Sequence, residues 1–275
     1  MATPIIEIRL LQVPMMKRDV LCFSCATLLF AAAAFTEEAR AASDATPKTG
    51  WEWSITPYIW LADTSYKLRA NDQDIAEGSI DFGEIADTLD GAFQVVAEAR
   101  QERWSGFVDF TYLSTSDSQP LDLSGLGLLK ISTRSDQLFV DAAVAYWPWP
   151  DVSGFNMYAG VRYTDLDDRI KVDLVDPEIR LGQISADRSF TDALVGFRDR
   201  FKLGANWAMI IRMDYGFGDS DGIFLAQGAL RWAVGRERRQ GIVLGYRYKD
   251  AKLDKNAREE RYKYKGPVLG FNFRF

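Results

Sequence analysis

The last ten residues of the chain set a pattern that the rest repeats. Leu269, Phe271, Phe273 and Phe275 alternate with Val268, Gly270, Asn272 and Arg274, and an extended strand turns such a period of two into two faces. Nine further tracts alternate in the same way: Trp51–Thr64, Ala92–Gln101, Ser105–Thr115, Leu128–Pro148, Gly154–Asp165, Phe190–Lys202, Ala205–Phe217, Ile223–Val234 and Gly241–Lys249. In each, one parity is greasy, as in Trp207, Met209, Ile211, Met213, Tyr215 and Phe217, while the other carries groups such as Arg212 and Asp214. A water-soluble sandwich would turn the greasy face to a core. A membrane-spanning barrel turns it to lipid and the polar face to a lumen. Greasy tracts of about nine to eleven residues suit a tilted bilayer crossing. The pattern predicts an all-β transmembrane antiparallel up-and-down barrel over residues 51–275, with about ten strands and twelve as the alternative.

The connections carry a second signal. Ser65–Gly91, Ser116–Gly127, Leu166–Arg188 and Asp250–Arg261 read as long connections on one side, where Gly218–Gly222 is the short exception. Tight turns such as Glu102–Trp104 and Trp149–Ser153 fall on the other side. Within Leu166–Arg188, strand-like pieces at Ile170–Val175 and Glu178–Ile184 have charges on both faces, which predicts a hairpin projecting beyond the membrane. Trp51, Trp53, Trp104, Trp147, Trp149, Trp207 and Trp232 all fall at short-turn ends, with Trp60 the exception. Tyr163, Tyr215, Phe217, Phe224, Tyr246 and Tyr248 gather at the opposite ends. Rings at two levels are the girdles of a membrane barrel. Pro57 cannot donate a ladder hydrogen bond, so a β-bulge is expected in the first strand.

Composition fits this picture. Mean hydropathy is only −0.17, as expected when half of every spanning strand is polar. The net charge of −6, with no basic stripe, argues against a nucleic-acid partner. Ahead of the barrel, Lys17-Arg18, the apolar run Val20–Phe35 and Ala39-Arg40-Ala41 predict a signal peptide over residues 1–41, cut after Ala41. Met15 or Met16 is the better start, which makes residues 1–14 an over-long N-terminus. Cys22 and Cys25, the two cysteines, lie inside that leader and leave the mature chain without a disulfide. Residues 42–50 read as a short lead-in.

The leader, the two-faced strands and the terminal Phe271-x-Phe273-x-Phe275 resemble Gram-negative outer-membrane β-barrel proteins. Trp53-Ser54-Ile55-Thr56-Pro57-Tyr58-Ile59-Trp60 and Glu98-Ala99-Arg100-x-x-Arg103-Trp104-x-Gly106 are similar to an uncharacterised proteobacterial barrel family. The resemblance implies an outer-membrane location, with both termini in the periplasm and the long connections outside. It implies that Phe271, Phe273 and Phe275 are the signal read by the barrel-assembly machinery. It brings no activity with it. The partners expected are the lipid bilayer and lipopolysaccharide, around a monomer.

The chain has no histidine, the residue on which acid–base chemistry in membrane-embedded hydrolases and acyltransferases rests. No catalytic residue, metal or cofactor is expected, and an enzyme is the third-ranked reading. The lumen holds the candidate site: Glu98, Arg100, Asp109, Asp141, Arg162, Asp192, Arg198, Arg212, Asp214, Arg231, Arg247 and Arg274. These groups form either an internal ion-pair network that satisfies buried charge or a constriction whose arginine excess favours anions. The first assignment of side chains carries the greater weight. The activity then expected is a narrow channel for small, anionic solutes, and the alternative is a closed structural or surface-binding barrel that acts through its extracellular loops. Outside the leader one segment is helix-like, Ile80–Leu89, where Phe82, Ile85 and Leu89 share a face. It is a candidate plug for the mouth, or a cover over its rim.

Overall fold

The computed structural model describes residues 50–70, 73–123, 127–150, 154–175, 179–255 and 258–275. The leader, its cleavage site and most of the lead-in lie outside them. The elements are β1 (Glu52–Trp60), β2 (Asp63–Ala70), β3 (Gln73–Ile80), α1 (Phe82–Asp87), β4 (Leu89–Gln101), β5 (Trp104–Leu123) and β6 (Gly127–Tyr146). They continue with β7 (Asn156–Leu174), β8 (Ile179–Lys202), β9 (Trp207–Gly218), β10 (Gly222–Val234), β11 (Gln240–Lys255) and β12 (Arg258–Arg274). Sequential antiparallel pairing runs from β4 to β12, and β1 joins β4 on one side and β12 on the other. Ten strands thus close a barrel. β2 and β3 do not span; they add to the sheet only past the end of β1.

The closing strand explains both partnerships. Val268–Arg274 of β12 pair with β1, and Arg258–Lys265 pair with β2. At the handover Leu61 N donates to Pro267 O at 2.9 Å. A Cβ on Gly266 would lie 1.9 Å from Leu61 O, so this crossing needs glycine. The bulge expected at Pro57 is not there. The β1–β12 register continues unchanged from Ile55↔Phe273 to Tyr58↔Gly270, and pairing simply lapses at Thr56 and Pro57. A missing N–H costs one ladder bond, and the strand meets that cost without an extra residue.

Inside the greasy band, the expected parities hold. Trp207 and Leu244 are 48% and 59% exposed on the outer face, while their neighbours Ala208 and Val243 are buried in the lumen. Several expected loops are instead strand. Residues 116–123, 250–255 and 258–261 prolong β5, β11 and β12, and Ser65–Gly91 contains the β2–β3 hairpin as well as α1. The reason is an inversion of chemistry at the membrane boundary. On β7, outward Val161 and Tyr163 give way to Asp165, Asp167, Arg169, Lys171 and Asp173, while inward positions turn to Leu166, Ile170, Val172 and Leu174. On β12, outward Leu269 and Pro267 are followed by Lys265, Lys263, Arg261 and Glu259. Past the lipid, the outer face meets water and the inner face becomes the apolar one. A search for greasy outward positions therefore stops at the boundary although the strand does not. The hairpin of β7 and β8 differs from expectation in the same way: its charges concentrate on the outer face.

Candidate functional site

Six of the twelve lumen candidates meet at mid-barrel. Arg162 on β7 grips Asp141 of β6 with two donors, Nε to Oδ1 at 2.7 Å and Nη2 to Oδ2 at 2.8 Å, and reaches Asp214 of β9 at 2.6 Å. Arg212 of β9 donates to Asp109 at 2.6 Å, Asp141 at 2.7 Å and Asp214 at 2.8 Å. Arg247 of β11 donates to Asp109 at 3.1 Å, to Tyr58 Oη at 2.9 Å and to Gln227 at 2.8 Å. All six ionic groups are buried. Their charges balance, three guanidiniums on three carboxylates, and Tyr58 and Tyr158 donate to Asp109 and Asp214. Charges buried this deeply persist only when paired and hydrogen-bonded, and here each is.

The other six lie elsewhere. Asp192 accepts from the backbone and hydroxyl of Ser220 at 2.9 and 2.7 Å. Glu98 and Arg198 pair at 2.6 Å closer to the rim that holds Trp51 and Phe275, with Arg198 4.5 Å above the Phe107 ring. Arg231 donates to Asn272 at 2.9 Å. Arg100 lies 3.8 Å over Trp147. Arg274 is inward on β12, at the same rim.

A second layer, which the sequence reading missed, lies on the distal side of the ion pairs. Tyr58, Trp60, Phe139, Leu166, Phe190, Ile223, Ala251, Leu253, Tyr264 and Val268 form one buried cluster across the lumen. Buried Lys249 places Nζ 3.5 Å over the Phe139 ring. Between the two layers, a cavity lined by Trp60, Asp109, Phe139, Asp141, Arg247 and Lys249 has room for about one water molecule. The signal that would have found this layer is the apolar inward parity just inside the outer ring of tyrosines.

Beyond it, Arg188 of β8 reaches across the mouth to Glu260 and Tyr262 of β12 and to Asp168 of β7. Burial works against the Arg188 charge, but Tyr262, Glu260 and Asp168 outweigh it and hold the guanidinium above its ordinary pKa. On either side of this tie, the prolonged strands turn apolar residues inward: Leu129, Ile131, Ile170, Val172 and Ile184 on β6–β8, Tyr66, Leu68 and Ile80 on β2–β3. Ile170 is 43% and Ile184 72% exposed, so among the described residues this inner face is uncovered. The segment expected as a plug or as a cover over the rim is shorter than its pattern suggested. The helix is only Phe82–Asp87, none of its residues is buried, and Leu89 is an exposed residue at the start of β4.

No family model and no curated protein matches the chain. Among solved structures, the outer membrane protease OmpT of Escherichia coli aligns at 7% identity and a TM-score of 0.55, covering 86% of this chain and all of that one. The translocator domain of autotransporter NalP of Neisseria meningitidis aligns at 10% identity and a TM-score of 0.44, covering 82% of this chain and 89% of that one. Ail of Yersinia pestis aligns at 11% and 0.36, covering 82% and 99%. At such identities the likeness concerns the fold alone. In fold, the chain is an antiparallel β-barrel of the kind found in Gram-negative outer membranes.

Proposed function

We propose that this protein is a closed, non-catalytic outer-membrane barrel that works through its distal extension at the cell surface. The observation that carries this reading is the double seal of the lumen: a charge-balanced layer of six ionic side chains backed by an apolar layer. Ion passage would require both layers to part. The distal extension offers an apolar inner face framed by charged outer faces, which suits capture of an apolar or amphipathic partner. In this reading the rim with the chain ends faces the periplasm, the greasy outer band contacts bilayer and lipopolysaccharide lipid, and the barrel is monomeric. Phe271, Phe273 and Phe275 then serve the assembly machinery.

Two measurements test the proposal together. In planar bilayers the purified barrel should give no discrete conductance steps. An environment-sensitive apolar dye should bind and brighten, and Ile184→Asp together with Ile170→Asp should abolish that response while the barrel stays folded. Steady single-channel currents would restore the solute-passage reading. Dye binding unchanged by the two substitutions would remove the cleft.

A further inference from the structure

The mid-lumen is balanced, but the mouth beside the chain ends is not. Arg100 of β4, Arg200 of β8, Arg231 of β10 and Arg274 of β12 all have the inward parity there, contributed by four separate strands. The acidic side chains that act on Arg200 and Arg274 are Glu98 and Glu52. Glu98 is occupied by Arg198 at 2.6 Å and Ser105 at 2.8 Å. Glu52 stands opposite Arg100 in the β1–β4 register.

Among the described residues, Arg231 has only neutral hydrogen-bond partners, Asn272 at 2.9 Å and the main-chain oxygens of Arg238 and Arg239 at 3.3 Å. Arg200 Nε is buried without a hydrogen-bond partner. Among the described residues, neither Arg200 nor Arg274 has a carboxylate within ion-pair distance. Arg200 and Arg231 both lie close enough to Arg274 to feel its charge, while Arg274 feels Glu52 and Glu98 ahead of Arg100, and Arg200 also feels Glu98. The adjoining β10–β11 turn adds Arg236, Arg238 and Arg239 against a single acid, Glu237.

Like charges gathered in a half-buried mouth repel, and the repulsion is relieved by a counter-ion rather than by solvent alone. Guanidinium forks suit the paired oxygens of a tetrahedral oxyanion. We propose that this mouth is a binding site for a phosphate group, held between Arg200, Arg231 and Arg274. The group comes either from free inorganic phosphate or from the head of a phospholipid in the adjacent leaflet. The site lies at the opposite end of the barrel from the apolar cleft, and its existence does not depend on that reading.

The test is calorimetric titration of the whole barrel in a phosphate-free, non-ionic detergent. One arm adds sodium phosphate, with sodium chloride at equal ionic strength as the control. The other adds a short-chain phosphatidylglycerol below its micellar concentration. Saturable phosphate binding above the chloride control assigns the free ion, and saturation by the lipid alone assigns the head group; either supports the site. R200Q with R274Q should weaken binding about tenfold or more, whereas R261Q at the far end should leave it unchanged. Retained heat-modifiable gel mobility shows that each variant is folded. Absence of saturable binding in both arms, or affinity equal to the unaltered protein in the double variant, overturns the proposal.

Discussion

At the residue scale, the most consequential side chain is Arg162, which is fully buried and holds two carboxylates at once. Replacing it by Ala leaves Arg212 as the one guanidinium on Asp141 and Asp214 among the described residues, a loss of about 3–5 kcal/mol of the kind seen when one partner of a buried pair is removed. Equilibrium urea unfolding in lipid vesicles measures it. R162A combined with D141L should recover part of the loss, because the second change removes one stranded charge. Outside the membrane band, the Arg134–Asp136 pair is one that is open to titration. The Arg134 hydrogen bond beside Asp136 holds that carboxyl below the usual carboxylate pKa, with Ser114 helping and burial opposing. A depressed folded-state pKa adds stability above the free Asp value of about 3.9, and that stability drains away as pH falls through the lower, folded value. Carbon-detected NMR should place the Asp136 midpoint below 3.9 and R134Q should raise it. The residue types at both places were legible in the sequence, but the assignment of Arg162 to Asp141 and Asp214 was not.

At the element scale, the β2–β3 hairpin and α1 are an addition to the barrel, not part of its closure. Val268–Arg274 pair with β1 independently of β2. Replacing residues 66–78 with a short turn should therefore leave a folded barrel with normal heat-modifiable mobility; loss of folding would show that the hairpin nucleates closure. Replacing Phe82–Asp87 with a Gly-Ser link should leave bilayer conductance unchanged, since no residue of the helix is buried. The spanning tracts of these strands were readable because lipid requires an apolar side chain at every second position. The prolongation at residues 250–255 was not, because there the requirement reverses while the backbone continues, with Ala251 and Leu253 turned inward.

At the scale of the whole molecule, the barrel divides its tryptophans between two environments. Trp207 and Trp232 stack with centroids 5.9 Å apart on the outer face, and Trp60 is buried in the lumen against Tyr264 at 6.1 Å. With single-tryptophan variants in brominated-lipid vesicles, Trp207 and Trp232 fluorescence should be quenched and Trp60 should be spared. Equal quenching of all three would place Trp60 against lipid and would dismantle the sealed lumen.

The period-two code by itself determined the barrel, the faces of its spanning strands and the level of its aromatic girdles. Each follows from a local contest between a side chain and the medium beside it, and neighbouring residues report that contest. What lies inside the ring depended on closure. Arg212 meets Asp109 across 103 positions and Arg247 meets Tyr58 across 189, so no local pattern ties them together. Only when β1 joins β12 do these groups share a lumen narrow enough for side chains to fill it. That closure turned a row of separate polar positions into a seal, gathered arginines from separate strands at one mouth, and gave the distal strands their exposed apolar inner face.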